Sequence, residues 1–152
     1  MLDWTKNPLV ALFFAVEAQG DVDGGVFCHF QWIHIVPEEA KFERFQKVGL
    51  YQPRPFDRRI LAQNGVFTYH PKPNEPLEAN PIVDEAKENQ FSRDNLDLAV
   101  IRVAAKAKPI FQRQLSEIGI DRKTLFPDLD GLSAFVNWST RRTATYKKAE
   151  MT

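Results

Sequence analysis

The 152 residues match the usual size of one domain, and a 43% hydrophobic, 12% aromatic composition is enough to build one sizeable core, which excludes a disordered chain. Lys+Arg and Asp+Glu both number 20, so a formal charge of zero supplies no overall field favouring a nucleic-acid backbone or an anionic membrane surface. The longest apolar run, Leu9 to Val16, has eight residues, far short of the ~20 that span a bilayer, and no basic stretch precedes an apolar segment as in a secretory signal.

Asn7-Pro8 marks a helix start, because an Asn side chain caps free backbone N–H groups and Pro at the first helical position gives up no needed donor. The helix is expected to run to about Gln19, with Gly20 as its stop. Leu9 to Val16 put apolar groups on every side, the pattern of a helix buried all round. Its cover is then expected to come partly from residues preceding Met1.

Asp21, Asp23, Gly24 and Gly25 make a turn, and the β-branched and aromatic run from Val26 to Val36 reads as one long strand ended by Pro37. Glu38 to Phe45 suits a short helix, and Leu50-Tyr51 a short strand. Phe56 to Gln63 reads as a two-turn helix closed by Asn64-Gly65, and the strand-like Val66 to His70 follows at a tight corner. Prolines at 71, 73, 76 and 81 punctuate a polar segment that cannot hold regular pairing, and Asp84 to Asn95 stays charged and loop-like. Leu96 to Ala104 returns to strand character. Pro109 to Ile118 reads as a helix stopped by Gly119, and Leu129 to about Arg142 as the last helix. Leu125, Leu129, Leu132 and Val136 fall on one helical face.

These elements amount to an α+β single domain with a small, mainly antiparallel sheet flanked by helices. It is expected over residues 1–140, with a basic, flexible tail at 141–152. Cys28, the one cysteine, cannot form an internal disulfide and fits a reducing compartment, so the chain is expected to be cytoplasmic.

The sequence has no Gly-rich phosphate loop, no nucleophile elbow and no Cys-x-x-Cys pair, so it carries no evident cofactor motif. Cys28 and His29 are adjacent on a strand and point to opposite faces, which argues against a metal site there. Two clusters are more informative. In Asp3-Trp4-Thr5, hydrogen-bonding groups stand just ahead of an apolar helix whose N-terminal dipole favours an anion or a polar ligand group. In Arg59-Ile60-Leu61-Ala62-Gln63, a cation and an amide four residues apart share a helical face and can converge on one ligand. The plain structural alternative is that Asp3 and Thr5 cap the helix, Trp4 packs, and Arg59 lies on the surface beside a Gly-closed helix end.

Asp3-Trp4-Thr5, the Pro8 to Ala15 run, Arg59-Ile60-x-x-Gln63-x-Gly65-x-Phe67-Thr68 and Leu125-Phe126-Pro127-Asp128-Leu129 together resemble the FRG domain family, in the family's order and over most of the chain. The family's Phe-Arg-Gly triplet does not occur here, so the chain is expected to be the C-terminal portion of such a domain, truncated at its N-terminus. A polar turn followed by a Pro-x-x-Ala-x-x-Phe-Ala helix is also similar to the segment after the Ser-Thr-Ser strand of arginine-specific-type ADP-ribosyltransferases. This second resemblance implies NAD, or another small nucleotide-like ligand, held in a cleft lined by Asp3, Trp4, Thr5, Arg59 and Gln63. It places Gln63 near the catalytic-glutamate region, although an amide cannot act as a general base. The alternatives are a non-catalytic interaction module, in which the same residues hold the corner and the caps together, and an inactive fragment.

Overall fold

A computed structural model describes residues 1–18, 20–29, 34–35, 48–54, 57–75, 80–81 and 98–150. Along these residues run β1 (Leu2–Thr5), α1 (Pro8–Glu17), β2 (Gly24–His29), β3 (His34–Ile35), β4 (Gly49–Tyr51), α2 (Arg58–Ala62), β5 (Gly65–Tyr69), β6 (Asn80–Pro81), β7 (Leu98–Val103), α3 (Lys108–Glu117), α4 (Arg122–Leu125) and α5 (Leu129–Glu150). The expected α+β class stands. The strands, however, form two sheets, one in the order β1-β5-β4-β3 and the other β2-β7-β6. β1·β5, β4·β5 and β2·β7 pair antiparallel, while β3·β4 and β6·β7 pair parallel.

The long strand expected over Val26 to Val36 is therefore two strands in different sheets: β2 pairs with β7, and β3 pairs with β4. Continuous β-branched and aromatic character marks extended chain but not which partner each part takes. Nor is the proline-punctuated segment wholly without pairing, since Asn80 and Pro81 register with Ala99 and Val100 of β7. Pro81 is tolerated because β6 is an edge strand, where a missing N–H costs no ladder bond. The helix expected at Glu38 to Phe45 and the loop at Asp84 to Asn95 lie outside the described residues.

Helix α1 starts as its sequence dictates: Asn7 Oδ1 accepts from the Leu9 N–H at 3.0 Å, and Pro8 takes the first position. Its burial is one-sided. Val10, Phe13 and Val16 pack against Val103 of β7, Leu115 of α3 and Leu125 of α4 to make the core, whereas Leu9 and Phe14 are each 41% exposed. This corrects the expectation of a helix buried all round; among the described residues β1, β2 and α3 pack against it and leave Leu9 and Phe14 outside. Burying each of the three core side chains is worth ~1.5 to 3 kcal/mol. At the far end the helix stops at Glu17, short of Gly20. The Val16 and Ala18 carbonyls are met instead by Gln112 Nε2 and by the buried Lys108 ammonium, a cation suited to a helix C-terminus. β2 passes so close to α1 that a Cβ on Gly24 would lie 2.2 Å from the Ala15 carbonyl oxygen.

At the C-terminal end, Asp121 caps α4 by accepting from the Thr124 N–H and hydroxyl, and Asp128 caps the start of α5 by accepting from the Gly131 N–H. α5 continues to Glu150, past the boundary near Arg142, because residues 142–150 hold neither Gly nor Pro to end it. The apolar face noted in the sequence is divided: Leu125 is buried in α4, while Leu129, Leu132 and Val136 of α5 are exposed. Among the described residues no helix is long and apolar enough to cross a membrane.

Candidate functional site

Three segments far apart in the chain meet at one corner. Asp57 caps the short helix α2 by accepting from the Arg59 N–H at 2.7 Å, and Asn64, at a φ of 50°, turns the chain into β5. Asn is among the few non-glycine residues that visit this left-handed region readily. The corner is then fastened to the end of β1: the Thr5 hydroxyl donates to the Gln63 carbonyl at 2.7 Å, and the Lys6 N–H donates to the Asn64 carbonyl at 3.1 Å. Thr5 Oγ1 also accepts from the Asn7 N–H at 3.0 Å, so one hydroxyl ties the α2–β5 corner to the entry of α1. On its other side the corner reaches α4, where Gln63 Nε2 donates to the Leu125 carbonyl at 3.1 Å. The guanidinium carbons of Arg59 and Arg122 lie 4.7 and 4.6 Å from the Phe126 ring centroid.

Across β1 and β5 the strand register sets Leu2 opposite Thr68 and Trp4 opposite Val66. Trp4 therefore sits diagonally from Thr68 on the same face, and its indole N–H donates to Thr68 Oγ1 at 2.8 Å. Thr68, fully buried, lies 2.7 Å from His70 Nε2. Indole is only a donor, so Thr68 Oγ1 accepts from Trp4 and can donate its own hydrogen to His70 Nε2 in the neutral tautomer that carries its proton on Nδ1. Burial, then the N-terminal ammonium and His29, push the His70 pKa below its usual value. The Trp4 ring also meets the His29 ring of β2, with centroids 5.4 Å apart.

All five residues singled out in the sequence, Asp3, Trp4, Thr5, Arg59 and Gln63, line one groove of about 930 Å³. Its floor is the exposed side of α1 at Ala11, Phe14 and Ala15, and its far wall is β2 at Gly25 to Phe27. Within it, Thr5 and Gln63 spend their hydrogen-bonding groups on the fold, as the structural alternative expected, although Asn7 rather than Asp3 or Thr5 accepts from α1. Asp3 and Arg59 are exposed. Thr68, part of the Phe67-Thr68 motif, and His70 are not among the site candidates of the sequence; a threonine within an otherwise apolar strand is the one signal that points to them. A smaller cavity of about 260 Å³ lies among Phe13, Ile120, Phe135 and Trp138; of its charged lining residues, Glu17 and Arg122 are paired with each other and Asp121 caps α4.

Among the described residues no group of three His, Cys, Asp or Glu side chains converges as metal ligands would. No family model, curated protein or solved structure matches the chain.

Proposed function

We propose that the chain is a domain of the FRG type whose groove binds a small nucleotide-like ligand, with Arg59 holding its anionic part. The observation that carries this reading is the convergence of Asp3, Trp4, Thr5, Arg59 and Gln63 on one groove of about 930 Å³, a volume within the ~300 to 1,000 Å³ of ligand pockets. Arg59 suits the role because its planar fork can grip phosphate or carboxylate at two points, and stacking on Phe126 restricts it without using its N–H groups. NAD is the first ligand to test, on the strength of the sequence resemblance alone. Gln63 offers no general base, so catalysis in this groove would rest on positioning and charge stabilisation. The same proposal places the protein in the cytoplasm, where Cys28 remains reduced.

The test is thermal unfolding with and without a nucleotide panel that includes NAD. A ligand at a hundred times its Kd stabilises by about 2.7 kcal/mol. Arg59→Lys is expected to reduce that shift while leaving the unliganded midpoint close to that of the parent. Absence of any nucleotide-dependent shift, with Arg59→Lys destabilising the unliganded protein, would remove the reading.

A second reading, a non-catalytic interaction module, is favoured by a different observation. Thr5, Trp4 and Gln63 turn their polar groups inward, while the groove exposes Leu2, Phe14 and Phe27 at 50%, 41% and 51%.

A further inference from the structure

We infer that the cavity of about 260 Å³ between α1, α3 and α5 is a binding site for a neutral aromatic molecule of one or two rings. It shares no described lining residue with the groove at β1, so it neither needs nor excludes the nucleotide reading.

Helical spacing assembles the walls. Phe13 and Glu17 of α1 stand four residues apart, one turn along a single face, and Gln112 and Ser116 do the same on α3. Ala11, Phe14 and Ala15, which floor the groove, lie on the other side of α1, so the helix separates the two spaces. The chain from α3 into α4 closes the cavity with Ile120 to Arg122, and α5 covers it with Ala134, Phe135 and Trp138. Phe13 is 8% exposed and belongs to the core, and Ile120 packs against that core, so the cavity opens onto the hydrophobic interior. On the α5 side the Phe135 and Trp138 ring centroids are 6.1 Å apart, with the planes 38° from one another.

The lining selects the occupant by shape and by charge. Phe13, Phe135 and Trp138 present rings, and a further ring among them gains offset or edge-on contacts beyond the burial of its area. An apolar cavity of ~150 Å³ holds benzene, so the space here suffices for a second fused ring or a short substituent. The charges nearby are already matched. Arg122 is bonded to Glu17, and the buried Asp121 carboxylate accepts from Thr124 and pairs with Lys123 at 3.6 Å. The Lys123 ammonium in turn lies 4.2 Å from the Phe135 ring centroid. Gln112 spends its amide on the Val16 carbonyl. An ionised ligand would therefore leave water without a counter-charge to meet it. A neutral ring loses little on entry, and the Ser116 hydroxyl can serve one O–H or N–H upon it.

The experiment titrates the 152-residue chain, labelled with nitrogen-15, with probes of one size at neutral pH: benzyl alcohol, cyclohexylmethanol, benzoate and benzylammonium. The indole N–H resonances of Trp138, in this cavity, and of Trp4, in the groove, report the two places separately once Trp138→Phe and Trp4→Phe have assigned them. Benzyl alcohol is expected to move the Trp138 resonance in a saturable way and to leave that of Trp4 in place. Benzoate and benzylammonium should bind at least about tenfold more weakly, the effect of desolvating an unmatched charge. Cyclohexylmethanol should also bind more weakly, having no ring quadrupole to offer. Ala134→Leu, which fills the space, should abolish the Trp138 shift in a protein whose Trp4 resonance is unmoved; if that variant does not fold, Ala134→Val should weaken binding in the same sense. No saturable shift at Trp138, ions or cyclohexylmethanol binding as well as benzyl alcohol, or undiminished binding by the folded Ala134 variant would overturn the inference. A cavity filled by residues outside the described ones would give the first of these results. Nucleotide binding in the groove is read at Trp4, so a failure of that reading and a failure of this one are told apart.

Discussion

The Gln63 side-chain amide donates to the Leu125 backbone carbonyl at 3.1 Å, joining the α2–β5 corner to the end of α4 across 62 residues of chain. Leu125 is 2% exposed and belongs to the core built around α1, so this bond fixes the corner to the most buried part of the molecule. Gln63 lies within the groove and also supports its wall. A substitution there reports on both roles.

Gln63→Ala is expected to lower stability by ~0.5 to 1.5 kcal/mol, the net value of one hydrogen bond. At this chain length that is a fall in Tm of ~2 to 4 °C per kcal/mol. Gln63→Glu should be worse at neutral pH, because a carboxylate faces the Leu125 carbonyl without a proton to donate. It should regain stability in acid, where the protonated acid can donate. Unfolding midpoints for the two variants across pH check this; a Gln63→Glu protein as stable as the parent at neutral pH would mean that the amide bond contributes nothing.

Thr68→Val should cost more than Gln63→Ala despite being nearly isosteric. It removes the acceptor for the part-buried Trp4 indole N–H and the partner of His70 at a position that is itself fully buried. Leaving a buried donor unsatisfied costs ~1 to 3 kcal/mol. Thr68→Ser keeps the hydroxyl and is expected to recover most of the loss. Tryptophan fluorescence and chemical denaturation of the pair measure it, and equal stability of the valine and serine variants would contradict the hydrogen-bond account.

Gly131→Ala tests how closely α5 is held to α4. A Cβ there would lie 2.0 Å from the Phe126 carbonyl oxygen and 3.0 Å from that of Arg122, both backbone atoms that cannot swing aside. Replacing Gly by Ala inside a helix ordinarily gains up to ~1 kcal/mol, but overpacking a tight contact costs ~1 to 3 kcal/mol, so the clash should win. The expected result is a lower Tm together with loosened contacts at Phe126, seen as faster amide exchange around residues 125–131. A stabilised variant would show that α5 can shift away without loss.

How much of this was legible in the sequence follows from how local each signal is. Asn7-Pro8, Asn64-Gly65 at the corner and Gly119 after the third helix act within one turn of chain, and α1, the corner and the third helix lie where the sequence puts them; α2, expected over Phe56 to Gln63, is shorter, because Asp57 caps it and it runs only from Arg58 to Ala62. Asp3, Trp4, Thr5, Arg59 and Gln63 do line one groove, but no local signal in the sequence sets that grouping. What did not appear was anything set by long-range partnership. Val26 to Val36 gave no sign that β2 and β3 belong to different sheets, since each residue's preference for extended backbone is satisfied either way. Nor did the all-apolar α1 show that only its Val10, Phe13 and Val16 side would be covered. Lys108, an unremarkable lysine in sequence, is buried only because the end of α1 presents a carbonyl to it.

The last prediction concerns His70 and pH. Burial comes first among the causes that hold its pKa below the ordinary 6.5, followed by repulsion from the N-terminal ammonium and from His29. A depressed folded-state pKa means that the unfolded chain binds the proton more readily, so stability increases with pH through this range. The contribution is fully present above about 6.5 and is lost as the pH falls from there through the lower folded-state value. The geometry gives the same sign for the tautomer in which Nε2 accepts from Thr68: protonation would turn Nε2 into a donor and leave the buried Thr68 hydroxyl hydrogen without that acceptor. His70→Asn, which does not titrate, should flatten the fall in stability on acidification below 6.5, while Asp23, whose carboxyl is held below its usual value chiefly by the Ala105 N–H, should still cause a loss at more acidic pH. Denaturant unfolding of the parent and His70→Asn at a series of pH values separates the two. Parallel curves for the two proteins between neutral pH and the onset of carboxylate titration would show that His70 does not govern the first loss.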